Sequence, residues 1–122
     1  MLRVGEPFME ILFRHRFEQR NPVLVQRLYK LERTRDTKLT HKDGTISMAR
    51  DGPDTATGDF FVCIDDQPEL DFGGKRNPDG QGFAAFGRVV KGMDVVRKIQ
   101  ASPAEGQTLT PPVKIVKVTR QP

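Results

Sequence analysis

The sequence predicts a mainly β fold, and three observations predict it. Runs of strand length, rich in β-branched and aromatic residues, recur along the chain. Segments composed of Gly, Pro, Asn and Asp separate them, as turns require. Only one stretch carries a helical period.

In chain order, Phe8–Phe17 and Pro22–Leu31 are each of strand character, whereas Leu31-Glu-Arg-Thr-Arg-Asp36 has no clear period. Thr45–Ala49 alternates in the strand manner, and Phe60–Ile64 is a compact β-branched and aromatic run. Ala84–Val90 and Val113–Thr119 are two more strand candidates, the apolar residues of the latter alternating with lysines. Between these last two, Met93, Val96 and Ile99 recur at helical spacing, so Gly92–Gln100 reads as a short amphipathic helix, begun at a glycine and ended before Pro103. Asp51-Gly-Pro-Asp-Thr55 and the run from Asp71 to Gly82 are turn-forming by composition.

At 122 residues the chain is read as a single domain, 1–122, with a modest core. An apolar fraction of 36% beside 30% charged residues places it among globular proteins, and no apolar run approaches the ~20 residues of a membrane-spanning helix. Glu6 and Glu10 interrupt the N-terminal apolar residues and no small-residue cleavage site follows, so a cytoplasmic protein without a membrane partner is expected. The lone Cys63 lies in a strand-like run and reads as a core residue. The charge of +4 is concentrated in a basic stretch over 14–42. That stretch lacks the interleaved aromatics or motif spacing of a nucleic-acid binder and reads as a solvated face.

Several constellations imitate chemistry without its context. Gly80-x-Gly82-x-x-Ala85 precedes a strand-like run and opens no helix, so it cannot seat a dinucleotide. Asp71-Phe72-Gly73 lacks every other kinase motif. Asp65, Asp66, Glu69 and Asp71 lack the spacing of a calcium loop, and His15 and His41 have no metal-ligand partners near them in sequence. No metal or other cofactor is expected, and no Ser-His-Asp arrangement can be read from the spacing.

One series of motifs is specific. Gly-x-x-Ser-Met-Ala at Gly44–Ala49, Gly-Pro-Asp-Thr at 52–55, Phe-Phe-Val-Cys at 60–63, Leu-Asp at 70–71 and Phe-Gly-Arg-Val-Val-x-Gly-Met at 86–93 follow one another in an order that resembles the cyclophilin family of peptidyl-prolyl cis-trans isomerases. The resemblance covers residues 31–120 and is strongest over 43–99, leaving 1–30 as a diverged N-terminal segment. It implies a cyclophilin-like antiparallel β-barrel. Because the part supplying the family's first hairpin is unrecognisable, an incomplete or rearranged barrel is expected, less stable than full-length relatives.

The resemblance also implies a site for proline-containing peptides or unfolded protein chains, and for cyclosporin-type ligands. Met48 falls near the pocket, with Phe61, Leu70 and Phe83 as apolar walls. Arg50 falls where the family's backbone binds the substrate backbone, so its main chain is expected to matter more than its side chain, and Ala49 and Asp51 flank it. Phe60 and Phe61 must face opposite sides of a strand; Phe60 is assigned to the core and Phe61 to the pocket, although Met48, Phe60, Phe61 and Phe86 would all suit a barrel core. The family's catalytic arginine lies in a Phe-x-Arg strand, and the nearest counterpart is Leu12-Phe-Arg-His-Arg16, followed by Val23-Leu-Val-Gln26. Arg14 and Arg16 would share one strand face, so either is a candidate donor and both also read as ordinary surface cations; Gln26 lacks the two glycines that follow it in the family. The function implied is isomerisation of X-Pro bonds in assistance of protein folding. A proline-peptide-binding module without catalysis, or a truncated remnant, is the alternative.

Overall fold

The computed structural model describes residues 2–5, 8–13 and 28–116. Its strands β1 (Leu2–Gly5), β2 (Phe8–Phe13), β3 (Thr45–Met48), β4 (Phe60–Ile64) and β5 (Ala84–Arg88) form one antiparallel sheet in the order β1-β2-β4-β3-β5. Two short helices, α1 (Thr34–Thr37) and α2 (Met93–Gln100), a 3-10 turn at Pro68–Leu70 and a small hairpin of β6 (Ala104–Glu105) and β7 (Thr108–Leu109) complete the elements. Among the described residues the sheet does not close into a barrel.

Strand β4 is central because both of its faces are apolar. Residues Phe61 to Ile64 are all buried, the pattern of a strand covered on each side. Cross-strand register puts Ser47 opposite Phe61, and Met48 opposite Phe60. Alternation then gives Phe61 and Cys63 one face, and Phe60, Val62 and Ile64 the other. The first face carries a core of Phe61, Cys63, Leu70 and Phe83, with Ala49 packed on it. On the second, Ile64 meets Met93, Val96 and Ile99 of α2 and Leu109 of β7.

The helix lands on that second face for local reasons. Gly92, at φ +95°, supplies the left-handed turn that begins it, a conformation open to glycine without penalty. Arg97 on its outer side reaches Asp43 at 2.7 Å, and Asp43 also accepts the Asp65 N–H at 2.6 Å, so one carboxylate ties α2 to the turns flanking β3 and β4. The Arg97 guanidinium and the Asp65 amide hold the Asp43 carboxyl below its ordinary range.

Strands expected at 45–49, 60–64 and 84–90 and the helix at 92–100 are present to within a residue or two at their ends. The strand expected over 113–119 is not formed in its described part. Residues 113–116 carry no sheet partner, and Val113, Ile115 and Val116 are all exposed, so neither side of the segment's alternation is buried. The remainder of that segment lies outside the described residues, as does all but the start of the expected 8–17 strand and the end of 22–31.

Candidate functional site

The Phe61 face of the sheet gathers most of the apolar residues expected to line a site. Phe61, Leu70 and Phe83 are buried together. The rings of Phe61 and Phe83 meet edge to face with centroids 5.3 Å apart, a favourable aromatic geometry. Phe83 is delivered to β4 by its own N–H, which donates to the Leu70 carbonyl at 3.0 Å, so two walls are fixed by one backbone bond. Of the phenylalanine pair, Phe61 is the fully buried member and Phe60, at the first position of β4, is half-buried, the reverse of the expected assignment of Phe60 to the core.

Met48 stands apart from this cluster. It is paired with Phe60 and Ala84 and therefore lies on the α2 side of the sheet, away from Phe61. Ala49, one residue on, turns back to the Phe61 face, and its N–H donates to the Asp59 carbonyl at 2.9 Å. Asp51 is exposed, its N–H held by the Thr55 hydroxyl at 3.1 Å. Arg14, Arg16 and Gln26 lie outside the described residues.

Arg50 joins the strand end to the loop that precedes Phe83. Its guanidinium donates to both carboxylate oxygens of Asp79, Nη1 to Oδ2 at 2.9 Å and Nη2 to Oδ1 at 3.0 Å. Nε and Nη2 also donate to the Gly82 carbonyl at 2.9 and 2.6 Å, and Nη1 to the Asp51 carbonyl at 3.2 Å. The guanidinium carbon lies 5.3 Å from the centre of the Phe83 ring. The side chain is 1% exposed, yet the residue as a whole is half-buried, so what solvent reaches is its main chain. The main chain was expected to matter more than the side chain, yet the side chain is no bystander: its fork is anchored to Asp79 in the bidentate geometry that only arginine offers. The Arg50 guanidinium, with the Gln81 amide, holds the Asp79 carboxyl below its ordinary range.

A second polar chain backs the aromatic cluster. His41 Nδ1 lies 2.7 Å from Asp71 Oδ1, and Nε2 lies 2.9 Å from Ser47 Oγ. Because a carboxylate only accepts, Nδ1 carries the proton, and the Ser47 hydroxyl donates to Nε2. The imidazole is stacked on Phe61, centroids 6.2 Å apart at 12°. Burial pushes the His41 pKa below its ordinary value against the opposing pull of Asp71. A Ser-His-Asp line therefore exists where the spacing gave none. The Ser47 hydroxyl is taken up by His41 and buried on the same sheet face as Phe61, so the line braces the wall that Phe61 forms.

Asp79 and the Ser47-His41-Asp71 chain are the residues that sequence reasoning missed. Asp79 stood in a turn-forming run where a carboxylate is commonplace, and the histidine lies 30 residues from its aspartate. Neither contact has a periodicity to betray it.

Comparison with known proteins identifies the family. The model of the family described as cyclophilin type peptidyl-prolyl cis-trans isomerase/CLD matches residues 13–120. That match begins upstream of residue 31, where the motifs became recognisable, and takes in Arg14, Arg16 and Gln26. A peptidyl-prolyl cis-trans isomerase of Acinetobacter baylyi is 40% identical over 86 residues, 66% of this chain and 44% of that protein. Peptidyl-prolyl cis-trans isomerase A of Dickeya dadantii is 46% identical over 65 residues, 52% of this chain and 32% of the relative. Peptidyl-prolyl cis-trans isomerase B of Escherichia coli is 43% identical over 63 residues, 51% of this chain and 38% of the relative. In each case the matched stretch is less than half the length of the relative.

Proposed function

The chain belongs to the cyclophilin-type peptidyl-prolyl cis-trans isomerase family, and from that premise we propose that it catalyses cis-trans exchange of exposed X-Pro bonds in flexible or unfolded chains. Rotation about a peptide bond faces a barrier of ~18–20 kcal/mol because amide resonance is lost in the twisted state. Lowering it takes no nucleophile and no metal. It takes an apolar clamp on the proline ring, hydrogen bonds to the flanking backbone, and a cationic donor to the proline nitrogen, whose lone pair is freed only as the bond twists.

In this reading Phe61, Leu70 and Phe83 form the clamp, the Arg50 main chain between Ala49 and Asp51 holds the substrate backbone, Arg14 or Arg16 supplies the donor, and Gln26 is a further substrate-binding residue. The single observation carrying the proposal is the union of three apolar walls in one cluster beside a strip whose main chain is exposed while its side chain is not. Domain 1–122 acts as one unit, and we take the open five-stranded sheet as its version of the family's barrel.

Replacing Arg14 and Arg16 together by alanine tests the assignment of the donor. We expect a proline peptide to bind these variants as it binds the parent, followed by amide shifts, while catalysed exchange falls at least about 100-fold, the order that one preorganised donor contributes. Undiminished exchange in the double variant would remove both arginines from the mechanism.

A further inference from the structure

The geometry points to the Arg50 side chain and Asp79 as a positioning pair for the proline site, a role that rests on the isomerase reading above. Arg50 lies two residues beyond the end of β3, and Asp79 in the loop running from Asp71 to Gly82. The guanidinium donates to three separate points: the Asp79 carboxylate, the Gly82 carbonyl and the Asp51 carbonyl. Gly82 immediately precedes Phe83, and Asp51 immediately follows the Arg50 strip. One buried side chain thus sets the distance between the aromatic wall and the backbone that would receive the substrate.

The loop has its own means of staying in place. Gly82 sits at φ +72° where a Cβ would run into the Asp71 and Leu70 backbone, and Arg33 Nε donates to Gln81 Oε1 at 2.5 Å. Gln81 N–H in turn donates to Asp79 Oδ1 at 2.9 Å, which orients the carboxylate toward Arg50. The guanidinium is 1% exposed and Asp79 is its only carboxylate partner among the described residues. With Asp79 neutralised, a buried cation is left on carbonyls alone, and the strip and the wall lose their common tether. Neither side chain touches the reacting bond in this scheme. Their effect on substrate passes through Phe83 and the Arg50 main chain.

The test is Asp79→Asn in the full chain, which keeps the size of the side chain and removes its charge, with Asp79→Glu as the conservative variant. Exchange of an Ala-Pro peptide is followed at several peptide concentrations, well below the unfolding temperature, and amide spectra verify that each variant is folded. The pair predicts a KM about tenfold higher for Asp79→Asn with kcat within about twofold, and partial recovery in Asp79→Glu. A merely stabilising contact would leave KM unmoved in the folded protein, and that result overturns the proposal. Peptide Kd from amide shifts is recorded in the same samples, so the pair is judged independently of catalysis. Absence of exchange in the parent protein would sink the isomerase reading, whereas an unchanged Kd in Asp79→Asn would sink the positioning pair. Should Asp79→Asn fail to fold, Arg50→Lys, which retains charge but cannot bridge bidentately, is read against the same KM and Kd criteria.

Discussion

His41 shows how one side chain can couple the interior to pH. Its imidazole is fully buried, braced by Asp71 and Ser47, and neutral in the folded protein because burial depresses its pKa below the ordinary 6.5. In the unfolded chain it titrates at its ordinary value. The unfolded state therefore binds the extra proton as pH falls through 6.5, and the His41 contribution to stability is complete above that pH and lost below it. Urea unfolding at a series of pH values is expected to show the parent weakening below pH 6.5, and His41→Asn losing that part of the dependence. Parallel profiles for the two proteins would contradict the account. At this scale Phe61 and Leu70 stand in short apolar motifs that survive in linear order, and the structure buries both in one cluster. The partners of His41 and Arg50 were not legible, because a hydrogen bond across 30 residues depends on how loops converge, and Met48 was misplaced by one step of strand alternation.

Elements were legible where a motif or a period marked them, and β1, as long as β3, was not among those expected. Strands β3, β4 and β5 and helix α2 have four to eight residues with a period to read. Helix α1 is a single four-residue turn, and β6 and β7 are two residues each, too short for any period to emerge. The loop before Phe83 was readable as a turn, but what it demands of Gly82 was not. A Cβ there would lie 2.6 Å from the Asp71 carbonyl carbon and 2.7 Å from the Leu70 oxygen, both backbone atoms that cannot swing aside. Gly80, at φ +65°, has open space around the same position. Gly80→Ala is expected to cost about 1–2 kcal/mol from the left-handed backbone alone. Gly82→Ala should cost more, about 3 kcal/mol or above, as backbone strain and overpacking combine. Denaturant midpoints compare the two, and equal losses would mean that the loop relaxes freely around Phe83.

For the whole molecule, the sheet divides the chain's work. One face holds the aromatic cluster, its polar brace and the Arg50 clamp; the other carries α2 and the Asp43 tether that stabilise the sheet from behind. Because β4 serves both faces, the Phe61 cluster rests on a strand already fixed by Ile64 and the helix. Preorganisation of this kind is what lets a site act on a bond that would otherwise exchange over tens to hundreds of seconds. The measurement that bears most directly on the central claim is NMR exchange spectroscopy on a short Ala-Pro peptide with sub-stoichiometric protein, recording the protein's own amide spectrum in the same sample. The account predicts dispersed amides together with cis-trans exchange accelerated well beyond the spontaneous rate. Dispersed amides with exchange left at the spontaneous rate would contradict it, leaving a folded peptide binder without catalysis.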